Sequence, residues 1–159
     1  MSFTSTDPVS HSGKTNIWLT PKHIIDQLGP FDFDPCAAPK PRPFPTAAVM
    51  NSENDADGLS IDWFGRVWLN PPYGSNARHW IQRLSTHGNG IALVFARIET
   101  QWLQPFLNQG VFVIQGRLSF LRPDGSSETN AGTGSILIPF GRKNIGSILM
   151  SEIEGVWLQ

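Results

Sequence analysis

Residues 35–45 hold five prolines, and no other stretch limits the fold of this chain so strongly. Each ring fixes φ and removes a backbone donor, so the segment can be neither a regular helix nor a central strand. It must cross the surface as an extended or turning loop. An α/β pattern surrounds it. Upstream, Thr20 is an N-cap candidate, Pro21 suits the first helical position, Ile24, Ile25 and Leu28 form an apolar stripe, and Gly29 is expected to end the helix in a left-handed conformation. Phe31-Asp32-Phe33 then alternates like a short strand, with Asp34 at its end.

Downstream, Arg66-Val67-Trp68-Leu69 is an apolar run that stops abruptly at Asn70-Pro71-Pro72-Tyr73-Gly74. Ser75 is an N-cap candidate for a helix carrying Trp80, Ile81 and Leu84. Residues 91–96 are continuously apolar, as in a strand covered on both faces inside a parallel sheet. Residues 99–108 suggest a helix with Trp102, Leu103, Phe106 and Leu107 inward and Gly110 as the stop, although Pro105 in its middle argues against it. Residues 111–114 and 117–121 read as strands, joined to a further strand at 134–140 by the polar, Gly-rich stretch 122–133. Residues 144–159 predict a short helix and a last strand, Val156-Trp157-Leu158. Trp68, Trp80 and Trp102 fall at inward positions and read as core rather than as stacking platforms.

The length of 159 residues suits one domain over 17–159, with a core that needs no disulfide or metal. Residues 1–16, Ser- and Thr-rich and aperiodic, are expected to form a flexible arm. A single cysteine, Cys36, excludes an internal disulfide and points to a reducing, cytoplasmic setting. It reads as a small packed residue, since no histidine has the spacing of a thiolate partner. No segment approaches the roughly 20 apolar residues of a membrane span, and His11, His23, His79 and His87 lack the clustering of a zinc site, so no metal is implied.

The break at Asn70 carries the chemistry. An exocyclic amine on a purine is a poor nucleophile, because its lone pair is delocalised into the ring. Two hydrogen-bond acceptors, the Asn70 side-chain oxygen and the Pro71 carbonyl, would draw density back onto nitrogen and favour the pyramidal form that attacks a sulfonium methyl group. Neither proline has an N–H to compete for those acceptors, and Tyr73 offers a ring face to a base rotated out of a duplex. Asn-Pro-Pro is also common turn punctuation. Its position favours chemistry, because a strand followed at once by a helix puts it at the carboxyl edge of a sheet, where open α/β folds bind ligands.

Six pieces in this order resemble the phage-type DNA N6-adenine methyltransferases. They are Trp18-Leu19-Thr20-Pro21, residues 31–38, Asp57-Gly58-Leu59 with Asp62-Trp63, residues 70–74, residues 96–100 with Trp102, and residues 116–120. One piece would be weak; the ordered set is strong. The resemblance implies a reduced Rossmann-like class I fold, with a mixed, mostly parallel sheet, helices on both faces and a C-terminal antiparallel hairpin. It also implies S-adenosylmethionine as cofactor, DNA as partner, and a phage- or prophage-encoded enzyme in a bacterial host.

Residue by residue, Asn70, Pro71, Pro72 and Tyr73 become the catalytic set, with Asn70 also an expected cofactor position. Asp34 is expected near the methionine end of the cofactor, with Pro35, Cys36 and Ala37 shaping the turn there. The competing reading of Asp34 is an Asx-turn. Asp57, with Gly58 and Leu59, is the expected seat of the cofactor's adenine; alternatively Asp57 caps a turn and Asp62 takes the polar role. Trp18, beside Thr20 and Pro21, is a candidate for packing on the cofactor. Arg97 and Arg117 match family positions and are candidates for phosphate or base contacts, or else form structural ion pairs.

Full-sized relatives would place a Gly-rich turn, a helix and a second strand with an acidic end after Asp34. About twenty residues separate Asp34 from Asp57, too few for all three, so a reduced sheet is expected, its cofactor pocket partly open or lined by the Pro-rich loop. No segment remains for a separate target-recognition domain, which implies relaxed specificity, a homodimer or partner subunit, or recognition through loops. The net charge of -1 and pI near 6.4 exclude a strongly basic, nonspecific DNA binder. Cations come in small groups, Lys40 with Arg42, Arg78 with Arg83, Arg117 with Arg122, and Arg142 with Lys143, each equally readable as a solvated face. Two alternatives stay open: another planar acceptor, such as cytosine N4, an RNA base or a protein glutamine, and a catalytically silent nucleic-acid-binding module with the same fold.

Overall fold

The apolar runs become the strands of one mixed sheet. The computed structural model describes residues 18–74, 76–122, 124–126 and 132–159. The expected arm and Ser75 lie outside them. The chain runs α1 (Lys22–Leu28), β1 (Phe33–Ala37), β2 (Val49–Ser52), β3 (Val67–Leu69), α2 (Ala77–His87), β4 (Gly90–Phe95), α3 (Gln104–Leu107), β5 (Val111–Ile114), β6 (Ser135–Phe140), α4 (Arg142–Leu149) and β7 (Gly155–Leu158). The seven strands lie in the order β2-β1-β3-β4-β6-β5-β7. The first four run parallel to one another, and β6 lies antiparallel to both β4 and β5.

Alternation along the strands divides the apolar residues between two clusters. Trp68, Ile91, Leu93 and Leu137 join Ile24, Ile25 and Leu28 of α1 and Ile148 of α4. Val67, Leu69, Ala92, Val94, Ile136 and Ile138 join Trp80, Ile81 and Leu84 of α2. Trp68 and Trp80 are therefore core, and Trp102 packs half-buried against the second cluster. At the amino end of β3, the Arg66 guanidinium ties α1 and α4 to the sheet. It donates to the carbonyls of Leu28 (2.6 Å) and Pro30 (3.0 Å), to Asn144 Oδ1 (2.7 Å) and to Ser147 Oγ (3.0 Å), and lies 4.3 Å over the Phe31 ring.

Several local expectations are corrected, each for a physical reason. The first strand begins at Phe33 rather than Phe31, so Asp34 is inside it, and Pro35 is tolerated in an interior strand because the β1–β2 register breaks between Asp34 and Ala37. A second strand does exist. With no helix between them, the Pro-rich loop leads straight to β2, which pairs in parallel with β1. Pro21, not Thr20, is the N-cap residue of α1, and no side chain caps that end. Gly29 is extended (φ -71°, ψ -179°) rather than left-handed, since a residue preceding proline is pushed to that region. Asn76 is the N-cap of α2. The helix expected over 99–108 shrinks to α3, because Pro105 can sit only in a first turn. Residues 117–121 are not a strand: Leu121 makes an isolated bridge to Leu19, and the antiparallel partner of β6 on that side is β5.

Candidate active site

The parallel strands β1, β2 and β3 end at one edge, and a cavity of about 550 Å³ opens there. Four of the chain segments in its wall carry expected site residues. The end of β1 contributes Pro35, Cys36 and Ala37; residues 56–59 contribute Asp57, Gly58 and Leu59; the segment after β3 contributes Asn70, Pro71, Pro72 and Tyr73; Trp18 closes one side. Every residue of the Asn-Pro-Pro-Tyr stretch thus faces the same space as eight of the expected cofactor positions, counting Asn70 among both.

The Asn70 amide is held from two sides. Its Nδ2 donates to the Trp18 carbonyl (2.9 Å), and its Oδ1 accepts from the Tyr73 hydroxyl (3.2 Å). The first bond decides which way the amide points, because only the nitrogen end can donate to a carbonyl. The oxygen keeps a second lone pair. Tyr73 stacks on Phe95, with centroids 4.0 Å apart and planes 12° apart, and makes a T-shaped contact with Phe120 at 6.2 Å. Burial pushes the Tyr73 hydroxyl up, so at neutral pH it remains a donor.

Asp34 is placed differently from its expected role. It is 2% exposed and does not line the cavity. Its Oδ1 accepts the Cys36 N–H (2.9 Å), which is the Asx-turn geometry, and its Oδ2 accepts from Thr46 Oγ1. Burial raises this carboxyl to about 6, against the opposing pull of Thr46, the Cys36 N–H and the Arg42 charge. Since the folded value lies above the unfolded 3.8, the stability linked to this proton is present in full below pH 4 and is lost as pH rises through about 6. The difference is on the order of 3 kcal/mol. Asp34→Asn keeps a carbonyl for Cys36 and offers an amide to Thr46. It is expected to remove that slope from urea-unfolding free energies between pH 4 and pH 7, and a variant with the wild-type slope would contradict a proton-holding Asp34.

Asp57 lines the cavity while capping its own turn, accepting from the Leu59 N–H (3.1 Å) and Ser60 Oγ (2.7 Å). These two bonds, the Ser60 one first, hold its carboxyl below the ordinary range. Asp62 does not line the cavity. Cys36 lines the cavity, and burial first, then the Asp34 and Glu53 charges, push its thiol up, so it stays neutral. Thr20 is buried away from the cavity. Pro21 and Arg117 share a separate depression with His23 and Glu152, and Arg97 is exposed on the loop after β4. The structure does not bring these four to the cavity wall.

Residues 9–153 match the family model described as DNA N-6-adenine-methyltransferase (Dam). The chain belongs to the Dam family. No curated protein and no solved structure matches it. Three further polar residues of this Dam-family cavity have no site role in the sequence pattern: Glu53, Asn76 and His79. Glu53 follows β2 directly and supplies the acidic strand end that the short spacing argues against. Its only signal is four residues of strand too brief and too polar to stand out. Asn76, the N-cap of α2, and His79, three residues on in its first turn, share one side of that helix start, a signal visible once the start is fixed. Among the described residues, no group of three His, Cys, Asp or Glu could hold a metal ion, and no helix is long and apolar enough to cross a membrane.

Proposed function

We propose that this chain moves the methyl group of S-adenosylmethionine to the N6 amine of adenine in DNA, using a reduced Rossmann-like methyltransferase domain over 17–159 with helices on both faces of its sheet. The observation that carries the reading is the Asn70 amide, oriented by Trp18 and Tyr73 at the wall of a cavity that its own strand edge creates. The cavity volume is in the range that encloses a small cofactor. Its wall suits that cofactor as well: Glu53 and Asp57 offer carboxylates to hydroxyl and amine donors, while Leu59 and Trp80 offer apolar surface to a purine.

Bound there, S-adenosylmethionine supplies an electrophilic methyl carbon on a cationic sulfur. Asn70 Oδ1 accepts one hydrogen of the target amine on its second lone pair, and the Pro71 carbonyl accepts the other, which localises the lone pair on nitrogen. Tyr73, with one face already against Phe95, offers the opposite face to the extruded base. As the nitrogen–carbon bond forms, the carbon–sulfur pair stays on sulfur, and the methylated nitrogen then releases its proton to solvent. No side-chain base is required.

The test is transfer of labelled methyl groups to DNA with and without adenine. Label confined to adenine-containing DNA is the expected result. Label retained on adenine-free DNA would move the acceptor to cytosine N4, and absence of calorimetric heat at millimolar S-adenosylmethionine would leave a silent fold.

A further inference from the structure

Beyond Phe95 the chain leaves β4 in a tight turn. The Arg97 N–H bonds the Phe95 carbonyl (2.8 Å), and the Arg97 carbonyl accepts both the Thr100 N–H (3.1 Å) and Thr100 Oγ1 (2.8 Å). Ile98 and Glu99 are thereby fixed at its tip, and Ile98 is 51% exposed. A β-branched apolar side chain in that place leaves about half of its surface to solvent. The other large apolar side chains exposed among the described residues lie elsewhere: Val49 starts β2, Phe64 precedes β3, Leu149 and Met150 end α4, and Val156 and Leu158 lie in β7. Of these, Ile98 alone leaves the carboxyl end of a parallel strand, the edge that holds Asn70 and Tyr73. Phe95, three residues earlier, stacks on Tyr73, and three residues of chain reach at most about 11 Å.

Resting on the function proposed above, we infer that Ile98 is the wedge that enters the duplex where the target adenine leaves it. Extruding a base costs a few kcal/mol of stacking and pairing, and an apolar side chain inserted into the vacated step restores part of the lost stacking contact. The turn holds Ile98 rigidly, so little ordering entropy is lost on insertion. Arg97 and Glu99 flank it with opposite charges, and all three side chains are exposed. The tip therefore carries no net charge, and its contact with DNA is steric rather than electrostatic.

The wedge matters only while the target base is paired. Ile98→Ala is compared with wild type for methyl transfer to two DNAs sharing one sparse-adenine strand. One is fully paired; the other has an abasic site opposite each adenine. The variant is expected to lose at least tenfold on the paired duplex and less than about threefold on the abasic one, with an unchanged melting temperature and with Ile98→Leu retaining activity. Equal loss on both DNAs, or no loss on the paired duplex, overturns the wedge. Absence of transfer to either DNA by the wild-type protein instead overturns the methyltransferase reading, and the wedge falls with it.

Discussion

Asn70→Ala is expected to lower methyl transfer by about a thousandfold and to leave S-adenosylmethionine affinity within about threefold. Removing one acceptor or donor aimed at developing charge typically costs about 10²–10³ in rate. Here the substitution removes more than one contact, because the same amide also anchors to the Trp18 carbonyl and the Tyr73 hydroxyl. Tyr73 loses its hydrogen-bond partner, though the Phe95 stack still holds its ring. Asn70→Asp separates the two effects: an oxygen still faces the amine, yet nothing is left to donate to Trp18, so activity should fall between those of wild type and Asn70→Ala. Single-turnover transfer and calorimetric titration measure the two quantities independently. Parallel loss of both would contradict a role in positioning the amine.

The placement of Asn70 at a strand edge is legible in the amino-acid order itself, because two prolines after Leu69 end a strand wherever it lies and an apolar helix face follows immediately. The continuous apolar run of β4 and the stripe of α2 are legible for the same reason: their patterns are long and strong. Elements defined by distant partners are not. Val49–Ser52 becomes a strand only because β1 lies beside it, and without that strand Glu53 carries no signal. Residues 117–121 have strand composition, yet β6 is already bonded on both sides by β4 and β5, and Leu121 bridges Leu19 instead. Asp34 is the more instructive failure. A carboxylate at a strand end beside a ligand cavity suggests binding, but only the fold reveals that Thr46, twelve residues on, turns it inward.

Gly58→Ala should destabilise the fold and loosen the site. Gly58 is not in a left-handed conformation, so backbone freedom does not explain it. Close approach does. A Cβ there would overlap the Pro35 carbonyl oxygen and come within 2.8 Å of Trp80 Cη2 and 2.9 Å of Cζ3. Neither neighbour can yield cheaply, since Pro35 belongs to interior strand β1 and Trp80 packs α2 against the sheet. The Gly58 carbonyl also accepts the Trp63 indole N–H (2.8 Å), so moving the 57–60 turn breaks that bond too. Overpacking of this kind costs about 1–3 kcal/mol, and losing the indole bond adds about 1 kcal/mol. Pro35 and Trp80 are both cavity walls, so whatever relaxation accommodates the methyl also changes the shape of the cavity, and S-adenosylmethionine affinity should fall at least tenfold. Gly146→Ala is the control: it lies inside α4 with open space around its Cβ position, and alanine there should stabilise by roughly 0.5–1 kcal/mol. Urea unfolding of both variants checks the pair. If Gly58→Ala matched wild type in stability and cofactor affinity, the close packing of β1, the 57–60 turn and α2 around the cavity would be wrong.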